Sequence, residues 1–329
     1  MIEYELKNFV LIIIISTLFT YILARLTIKF CQKNGLTVID YHKITPTKVS
    51  RFGGIPIFGG IFLAEVAIYY ITKDVQILTL ILVISTTFLI GIIDDIKKLG
   101  GIAKPIMLIF ASIPILFFGT YHPGIEFPFF GAVRLNIIYP ILILIAITVT
   151  ANTMNTIDVL NGTVSGFTMI TTTALLIALI LTENSSLFMG TLPMLFSVSV
   201  FYLYHKHPSK IFPGDSGTLT LGAMFGAIAI IGNIEIIGVV ALLPAIMNSF
   251  FYLYSVRGLV EHTKLAMRPT RLLEDEKIVG EKDKRAPVTL VRLLTIGNPL
   301  TEKKINEHIL ILSLCSTLLA IITAVVMWY

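Results

Sequence analysis

Long apolar runs alternate along the whole chain with short polar stretches. Ten runs approach the roughly 20 apolar residues that a bilayer-spanning helix needs. They cover residues 9–29, 53–72, 75–93, 104–120, 135–151, 163–182, 186–204, 216–232, 235–256 and 308–328. The pattern predicts an all-α polytopic membrane protein with about ten transmembrane helices, folded as a single integral membrane domain over residues 1–329.

The composition agrees with this prediction. Hydrophobic residues make up 55% of the 329 residues, charged residues make up 14%, and the mean hydropathy is +0.87. These values exclude a water-soluble globule of this size. Glu3, Glu5 and Lys7 precede the first run and no small-residue cleavage site follows it, so we expect a retained span rather than a signal peptide.

Positive charge predicts the orientation in the membrane. The odd-numbered connections between the ten spans share one side and lie near residues 30–52, 94–103, 152–162, 205–215 and 257–307. Of the 25 Lys and Arg residues, all but Lys7, Lys73 and Arg134 lie on that side. The positive-inside rule therefore predicts that these loops, including the extended loop 257–307, are cytosolic and that both termini lie outside.

The polar motifs all lie on this predicted cytosolic side. They are TPTKVSRFGG (45–54), DDIKK (94–98) with Lys104 beyond it, NTMNTIDVLNG (152–162), FPGDSG (212–217) and EHTKLAMRPTRLLEDE (261–276). The connections on the other side are short and hold few charged residues. We therefore expect a multi-pass cell-membrane protein whose functional site faces the cytosol.

Two adjacent carboxylates end the third span. The helix dipole presents partial negative charge there, which disfavours Asp94 and Asp95. A nearby cation would offset this cost, and Lys98 lies on the same face as Asp94 if the helix continues. The alternative is a solvated helix end with flanking lysines.

The third and fourth motifs add amides and further acids. Asn152, Asn155 and Asp158 are spaced three apart, so a helix would place them on one stripe at the membrane edge. Such a stripe is costly in a membrane unless its side chains have partners. Asp215 opens the eighth span, where aspartate is also a favoured N-cap, and Asn161 before the sixth span allows the same alternative.

The long fifth loop holds a basic cluster. His262, Lys264, Arg268 and Arg271 surround Pro269, which would interrupt any helix and turn the chain. The two arginines could grip phosphate oxygens in bidentate fashion. Positive-inside charge explains each arginine equally well.

These residue types together describe a metal–diphosphate site. Carboxylates and carboxamides bind hard cations through oxygen, and Mg²⁺ keeps substrate phosphates and water in its shell. Phosphoryl transfer requires a protein mainly to position groups and neutralise charge. At the membrane edge, such a site could join a water-soluble nucleotide donor to an acceptor whose tail stays in lipid.

Four motifs resemble those of a known family. TPTKVSRFGGIPIFGG, GIIDDIKKLG, NTMNTIDVLNGTVSG and FPGDSGTLTLG are similar, in order and on alternating loops, to motifs of the polyprenyl-phosphate N-acetylhexosamine-1-phosphate transferases of glycosyltransferase family 4. The resemblance extends from about residue 40 to 328. It implies a ten-helix fold, Mg²⁺ as the cofactor with Mn²⁺ as a substitute, and an enzyme that makes lipid-diphosphate-sugar and releases UMP.

The resemblance also implies residue roles. Asp94 and Asp95 would be the catalytic pair, with Asp94 assisting the lipid-phosphate nucleophile, and Asp215 and Asn155 would bind the metal. The candidates for contacts with substrate are Lys48, Lys98, Lys104, Asn152, Asp158, Asn161, Gly162, His262, Arg268 and Arg271. Direct attack by the lipid phosphate is the favoured route, and an aspartyl-phosphate intermediate is the alternative.

Departures from the bacterial motifs favour one subfamily. The fifth loop holds one histidine, in HTKLAMRPTR, where the bacterial muramoyl-pentapeptide enzymes are histidine-rich. The stretch before the last span, VTLVRLLTIGNPLTEKKINEH, looks more like the eukaryotic and archaeal transferases. In the third loop, Val159 replaces a glycine that is usual in the bacterial motif. We therefore expect transfer of GlcNAc-1-phosphate from UDP-GlcNAc to dolichyl or another polyprenyl phosphate in archaeal protein glycosylation. The expected partners are these two substrates and the lipid bilayer. A homodimer with a second copy of the chain is a further possibility to test. Nucleic acid is not an expected partner.

Other functions stay open at this point. A bacterial-type undecaprenyl-phosphate GlcNAc-1-phosphate or phospho-MurNAc-pentapeptide transferase is the first alternative. An ion-coupled transporter would need ionisable groups near the bilayer midplane, where Glu65 is the only acid well inside a span. A noncatalytic scaffold would keep its function in Asp94→Asn and Asp215→Asn variants.

Overall fold

The computed structural model describes residues 2–258 and 267–328. Its α-helices are α1 (Ile2–Lys33), α2 (Gly54–Thr72), α3 (Val75–Lys97), α4 (Ala103–Ile109), α5 (Ile113–Phe118), α6 (Tyr139–Ile157), α7 (Thr163–Leu181), α8 (Ser185–His205), α9 (Gly214–Ile231), α10 (Glu235–Ala241), α11 (Leu243–Val256), α12 (Leu290–Thr295) and α13 (Glu302–Trp328). Within these two ranges, eight helices are long and apolar enough to cross a membrane. The prediction of an all-α polytopic membrane protein is confirmed.

The other two predicted spans are interrupted helices. The predicted span 104–120 is a shorter apolar stretch, Ala103–Phe118, in which a 3₁₀ turn separates α4 from α5. The predicted span 235–256 consists of α10 and α11, which meet at an angle of 69°. Hydrophobicity alone predicts neither break.

The bend between α10 and α11 has a local cause. Pro244 lies in the first turn of α11 and has no N–H to donate to the carbonyl of Val240. Ser316 of α13 donates its hydroxyl to that carbonyl and, at 3.2 Å, to the carbonyl of Ala241. A neighbouring helix thus satisfies the backbone groups that the bend exposes.

The helix α9 lies at the centre of the bundle. Its residues from Ser216 to Ile231 are all buried, and it packs against α2, α3, α6, α7 and α8. Small residues permit this close packing: a Cβ at Gly217 would lie 3.2 Å from the Cα of Gly54. Because other helices enclose α9, polar groups at its N-terminus lie inside the protein rather than in lipid.

Small antiparallel sheets occur in the connections and were not predicted. β1 (Thr37–Ile39) pairs with β2 (Lys48–Ser50), and β3 (Gly124–Phe127) pairs with β4 (Gly131–Arg134). In the fifth connection, β6 (Lys277–Gly280) lies between β5 (Thr270–Leu272) and β7 (Leu300–Thr301).

The first and fourth connections are joined by backbone hydrogen bonds. The amide of Ser50 donates to the carbonyl of Lys210 at 3.2 Å, and the amide of Phe212 donates to the carbonyl of Ser50 at 3.0 Å. The amide of Gly53 then donates to the carbonyl of Phe212 at 2.9 Å. These bonds hold the FPGDSG motif beside the start of α2.

A buried arginine organises the fifth connection. The guanidinium of Arg292, 6% exposed, donates to backbone carbonyls of the segment that precedes α12. The acceptors are the carbonyls of Glu281 at 2.8 Å, Asp283 at 2.8 Å, Ala286 at 2.5 Å and Pro287 at 3.3 Å. The chain before α12 is therefore wrapped around one cation.

Candidate active site

A lysine joins two carboxylates from different spans. The Nζ of Lys104, at the start of α4, lies 2.6 Å from Oδ2 of Asp94 on α3 and 2.8 Å from Oδ1 of Asp215 on α9. The exposed fractions of these side chains are 4% for Asp94, 15% for Lys104 and 29% for Asp215, so the cluster opens on the Asp215 side. The second and fourth polar loops thus meet in one ion-paired group, Asp94, Lys104 and Asp215, which we call the Lys104 cluster.

Asp95 binds the N-terminus of α9. Its Oδ1 accepts the amide N–H of Asp215 at 2.8 Å, and its Oδ2 accepts the amide and the hydroxyl of Ser216 at 3.1 and 2.5 Å. The first amides of a helix have no intrahelical acceptor and the helix dipole favours an anion there. Asp95 therefore caps α9 from the neighbouring helix, and Asp215 lies in the first turn rather than at the N-cap.

A glycine and an arginine support this cap. Gly214 has φ +66°, and a Cβ at this residue would lie 2.7 Å from Oδ1 of Asp95, so glycine permits both the turn and the approach of the carboxylate. The guanidinium of Arg51 donates to the backbone carbonyl of Asp95. The first polar loop thereby contacts the end of α3.

The expected pairing of Asp94 with Lys98 is wrong. The helix α3 ends at Lys97, and Lys98 has φ 48° and ψ 94°, which turns the chain away from the helix. Oδ1 of Asp94 accepts the amide N–H of Leu99 at 2.5 Å instead. Lys98 is exposed, and a role for it in phosphate binding stays a prediction.

Asn155 adds an amide beside Asp215. The hydroxyl of Thr218, one helical turn after Asp215, donates to Oδ1 of Asn155 at 2.9 Å. The same Thr218 hydroxyl lies 3.4 Å from the backbone carbonyl oxygen of Asp215. The amide therefore lies at the open side of the Lys104 cluster, and Oδ1 keeps one lone pair for a further contact.

The residues present fit a Mg²⁺ ion. Among the described residues, no group of three or more His, Cys, Asp and Glu side chains forms a metal site by itself. Asp94, Asp215 and Asn155 nevertheless supply two carboxylates and an amide oxygen, which are hard donors. Mg²⁺ takes few protein ligands of this kind and completes its shell with substrate phosphate and water.

The prediction that Asp158 shares one helical stripe with Asn152 and Asn155 is wrong. The helix α6 ends at Ile157, and Asp158 has φ −79° and ψ 70°, so its side chain leaves the helical periodicity. Asn152 remains in the helix and donates its amide to the carbonyl of Thr148 at 2.8 Å. That Asn152 and Asp158 line the nucleotide-binding side of the site stays a prediction.

Asp158 instead faces a buried histidine. Its Oδ1 lies 3.7 Å from Nε2 of His205, whose Nδ1 lies 2.8 Å from the Ser165 hydroxyl oxygen. Burial raises the pKa of Asp158 to about 8, and the nearby charge of Asp215 acts in the same direction. A proton on this carboxyl at neutral pH therefore reduces the negative charge beside Asp215.

Asn161 joins three polar loops in a second cluster. The backbone N–H of Asn161 donates to Oε1 of Glu302 at 2.8 Å. The side-chain Nδ2 of Asn161 donates to Oδ2 of Asp40 at 3.0 Å. Lys43 and His207 lie 3.6 Å from Oε2 of Glu302 and contact each other. The side chain of Asn161 does not cap α7, in contrast to the capping alternative.

Two further candidates belong to turns and surfaces. Gly162 precedes α7 with φ +88°, and a Cβ there would lie 3.1 Å from the Cα of Lys206, so this turn requires glycine. Lys48 pairs with Ile39 in the first hairpin and its side chain is exposed. Its contact with substrate stays a prediction.

Arg268 and Arg271 of the fifth loop make their described contacts with residues outside the Lys104 cluster. Cζ of Arg268 lies 5.5 Å from the ring centroid of Tyr41, and Arg271 pairs with Val279 in the small sheet. Both arginines are exposed, and in the described part of the chain neither bonds to the Lys104 cluster. His262 and Lys264 lie outside the described residues.

The sequence interpretation missed several residues of these clusters. Asp40 and His205 lie outside the quoted motifs, and Glu302 lies in VTLVRLLTIGNPLTEKKINEH, which served only to indicate the subfamily. Each of the three meets its partners only through the fold. Glu302 lies in the first turn of α13, where an acid is ordinary for a helix. Arg51 did have a signal, since it lies within the TPTKVSRFGG motif.

Comparison with known proteins places these clusters in a family. The family model described as glycosyl transferase family 4 matches residues 77–233. The chain is 30% identical, over 69% of its length and 72% of the relative, to a Sulfolobus acidocaldarius protein provisionally named UDP-N-acetylglucosamine–dolichyl-phosphate N-acetylglucosaminephosphotransferase. A Saccharolobus solfataricus protein of the same provisional name is 33% identical over 67% of this chain and 70% of its own. This chain belongs to glycosyl transferase family 4.

The similarity extends to bacterial members of glycosyl transferase family 4. The phospho-N-acetylmuramoyl-pentapeptide-transferase of Petrotoga mobilis is 29% identical over 69% of this chain and 74% of its own length. The family 4 match from residue 77 to 233 includes the whole Lys104 cluster, Asp95 and Asn155. Asp40, Glu302 and the fifth connection lie outside it.

Proposed function

We propose that this chain transfers GlcNAc-1-phosphate from UDP-GlcNAc to a dolichyl or other polyprenyl phosphate and releases UMP. One observation carries the proposal: Asp94, Lys104 and Asp215 meet where α3 ends and α4 and α9 begin, with Asn155 beside them. Two carboxylates, an amide and a cation at such a place suit a diphosphate whose acceptor stays in lipid.

The proposed reaction is a direct displacement. An oxygen of the lipid phosphate attacks the sugar-linked phosphorus of the donor, and the bond from that phosphorus to the bridging oxygen breaks. The bridging oxygen keeps the electron pair and leaves as part of UMP. Asp94, buried and adjacent to Lys104, is placed to orient the attacking phosphate or to take its proton.

Lys104 supplies positive charge to the reacting groups. Its ammonium has three N–H donors, and Asp94 and Asp215 use two of them. The third can bond a phosphate oxygen, so Lys104 can neutralise charge that develops on the bridging oxygen. Asp95 has both oxygens bonded to α9, and we assign it to positioning Asp215 rather than to proton transfer.

We propose that Asp215 and Asn155 would hold a Mg²⁺ ion, which would supply positive charge to screen the donor diphosphate. The donor set described above supports this assignment, and Mn²⁺ has similar oxygen preferences. The same residues would then orient the diphosphate, because substrate oxygens complete the metal shell.

The names of the Sulfolobus acidocaldarius and Saccharolobus solfataricus relatives, at 30% and 33% identity, support UDP-GlcNAc and dolichyl phosphate as substrates. A phospho-MurNAc-pentapeptide transferase is the runner-up, because relatives of that name match a similar share of the chain. The charge distribution supports a cytosolic site with both termini outside, since the clusters join the five loops that hold most of the Lys and Arg residues.

The test is Mg²⁺-dependent UMP release by the purified protein from UDP-GlcNAc and a polyprenyl phosphate. We expect loss of at least about 100-fold in turnover for Asp94→Asn and Asp215→Asn, as when a charge-stabilising group is removed. Asp275→Asn is the matched control, because Asp275 lies in an exposed ion pair with Lys277. Wild-type protein that folds but releases no UMP would refute the proposal.

A donor panel separates the two transferase candidates. UDP-GlcNAc, UDP-GalNAc and the UDP-MurNAc-pentapeptide are compared with one lipid acceptor at equal Mg²⁺. We expect turnover with UDP-GlcNAc and little with the pentapeptide nucleotide. The reverse order would support the bacterial-type reaction.

A further inference from the structure

A buried asparagine on α11 joins the ends of two other helices. Nδ2 of Asn248 donates to the carbonyl of Thr156 in the last turn of α6 at 3.0 Å. Oδ1 of Asn248 accepts the amide N–H of Leu290, the first residue of α12, at 2.8 Å. The Asn248 side chain is 4% exposed, so water does not compete for either bond.

Both partners are backbone groups that helices leave without an intrahelical bond. The last four carbonyls and the first four amides of a helix need outside partners when they are buried. One carboxamide offers a donor and an acceptor at once, and Asn248 uses each for a different helix. A smaller or apolar side chain at this residue would leave both groups unsatisfied.

Neighbouring hydroxyls reinforce the same contacts. The hydroxyl oxygens of Ser249 and Thr156 lie 2.5 Å apart, and the hydroxyl of Ser255 accepts the amide N–H of Val288 at 2.9 Å. One face of α11 thus holds the end of α6 on one side and the chain that enters α12 on the other.

The end of α6 matters because Asn155 immediately precedes Thr156. Thr218 fixes the Asn155 side chain from α9, while Asn248 fixes the backbone that follows it. The amide oxygen of Asn248 binds the start of α12 in the fifth loop. Arg292 of α12 in turn binds backbone carbonyls of the chain that precedes this helix. A change at the start of α12 can therefore reach Asn155 through a single side chain.

We propose that Asn248 is a positioning residue that holds Asn155 in the metal site and couples it to the folded fifth loop. The inference rests on the proposed function, because Asn155 is there a metal ligand. Partners of this kind, which orient a ligand without touching the metal, change metal affinity by about 10- to 100-fold when they are lost.

Two variants test the two halves of the coupling. Asn248→Leu keeps the branching of the side chain at Cγ and removes both hydrogen bonds. Leu290→Pro removes only the N–H that Asn248 accepts. Proline is tolerated at the first position of a helix, and the preceding Thr289 has φ −135° and ψ 160°, which suits a residue before proline.

Each variant is examined by two readouts. The first is the Mg²⁺ concentration that gives half-maximal UMP release, and the second is the rise in unfolding temperature on adding Mg²⁺ with UDP-GlcNAc. We expect about a 10-fold increase in the half-saturating Mg²⁺ for Asn248→Leu and a smaller increase for Leu290→Pro. The Mg²⁺-dependent rise in unfolding temperature should shrink in the same order.

A matched control separates positioning from general loss of stability. Ser316→Ala also removes a buried side-chain bond to helix carbonyls, but at the bend between α10 and α11. It should lower the unfolding temperature without changing the half-saturating Mg²⁺. An Asn248→Leu protein that does not fold leaves Leu290→Pro to decide the coupling.

The outcomes separate this inference from the proposed function. Wild-type protein without Mg²⁺-dependent UMP release would refute the function itself. Active wild-type protein together with wild-type Mg²⁺ dependence in both Leu290→Pro and folded Asn248→Leu would overturn the positioning role of Asn248.

Discussion

Removal of the Lys104 ammonium should uncover the repulsion between two carboxylates. In Lys104→Met, a side chain of similar length replaces the cation that lies 2.6 Å from Asp94 and 2.8 Å from Asp215. Asp94 is 4% exposed, so it cannot regain hydration without opening the junction of α3, α4 and α9. Asp215 is 29% exposed and can turn toward water.

The magnitude follows from these exposures. At an effective dielectric constant of 20, each ion pair gives about 6 kcal/mol of gross attraction, most of which offsets the desolvation of the charges. Removal of one partner from a buried pair costs about 3–5 kcal/mol, and loss of an exposed pair costs about 1 kcal/mol or less. We expect Lys104→Met to lower the free energy of unfolding by about 3 kcal/mol, most of it through Asp94.

A double-mutant cycle isolates the Asp94 contribution. Unfolding is followed in mixed detergent and SDS micelles for the wild type, Lys104→Met, Asp94→Asn and the double variant. Asp94→Asn removes the stranded charge, so Lys104→Met should cost only about 1 kcal/mol in that background. The expected coupling energy is about 2 kcal/mol, within the range for residues in direct contact.

The reasoning fails if the two substitutions are additive. A coupling energy below about 0.5 kcal/mol is the value expected for residues that do not interact. Such a result would mean that Asp94 and Lys104 do not form the buried ion pair from which the charge argument starts.

Four further predictions concern single residues. Asp95→Ala should lower the free energy of unfolding in the SDS titration by about 2 kcal/mol, because α9 loses its cap, and an unchanged value would contradict capping. The carboxyl group of Asp158 has a pKa of about 8 in the folded protein and about 4 in the unfolded chain. Between these two pH values the folded protein keeps a proton on Asp158 that the unfolded chain has released. Stability should therefore fall from pH 5 to pH 8 in thermal melts, and Asp158→Asn should remove that part of the fall. Arg292→Met should lower the free energy of unfolding by about 3 kcal/mol, whereas Arg285→Met, at an 82% exposed side chain, should leave it unchanged. Both carboxyl oxygens of Glu65 are buried and have no hydrogen-bond partner among the residues that the structure describes. Glu65→Gln should therefore keep UMP release and stability, whereas an ion-coupled transporter would lose coupled uptake into liposomes.

The spans were predictable because hydrophobicity is a local property of each run. The breaks were not, since the bend before α11 needs Pro244 together with a hydroxyl from α13, and Ser316 is distant in sequence. The meeting of the motifs was also predictable, because the odd-numbered connections between the predicted spans share one side. The small sheets follow from pairing between short segments that lack strand periodicity.

The sequence predicted which residues belong to the site better than it predicted which of them contact each other. Sequence spacing favours Lys98 as the partner of Asp94, because four residues make one helical turn. The positive φ of Lys98 ends that turn, and the chain brings Lys104 back to the carboxylate instead. Asn161 likewise was a candidate, but its partners Asp40 and Glu302 come from opposite ends of the chain.

The two adjacent aspartates differ in what surrounds them, and this difference separates their roles. Asp95 points to the N-terminus of α9, where unpaired amides and the helix dipole favour a permanent anion. Asp94 lies at the C-terminal end of α3, where the dipole disfavours an anion; within residues 2–258 and 267–328, Lys104 and the Leu99 amide offset this effect. Because the charge of Asp94 depends on a lysine that a phosphate can also engage, substrate binding can change its environment while that of Asp95 stays fixed. The residue suited to chemistry is therefore Asp94, and exchange of its carboxylate for an amide should affect turnover more than stability.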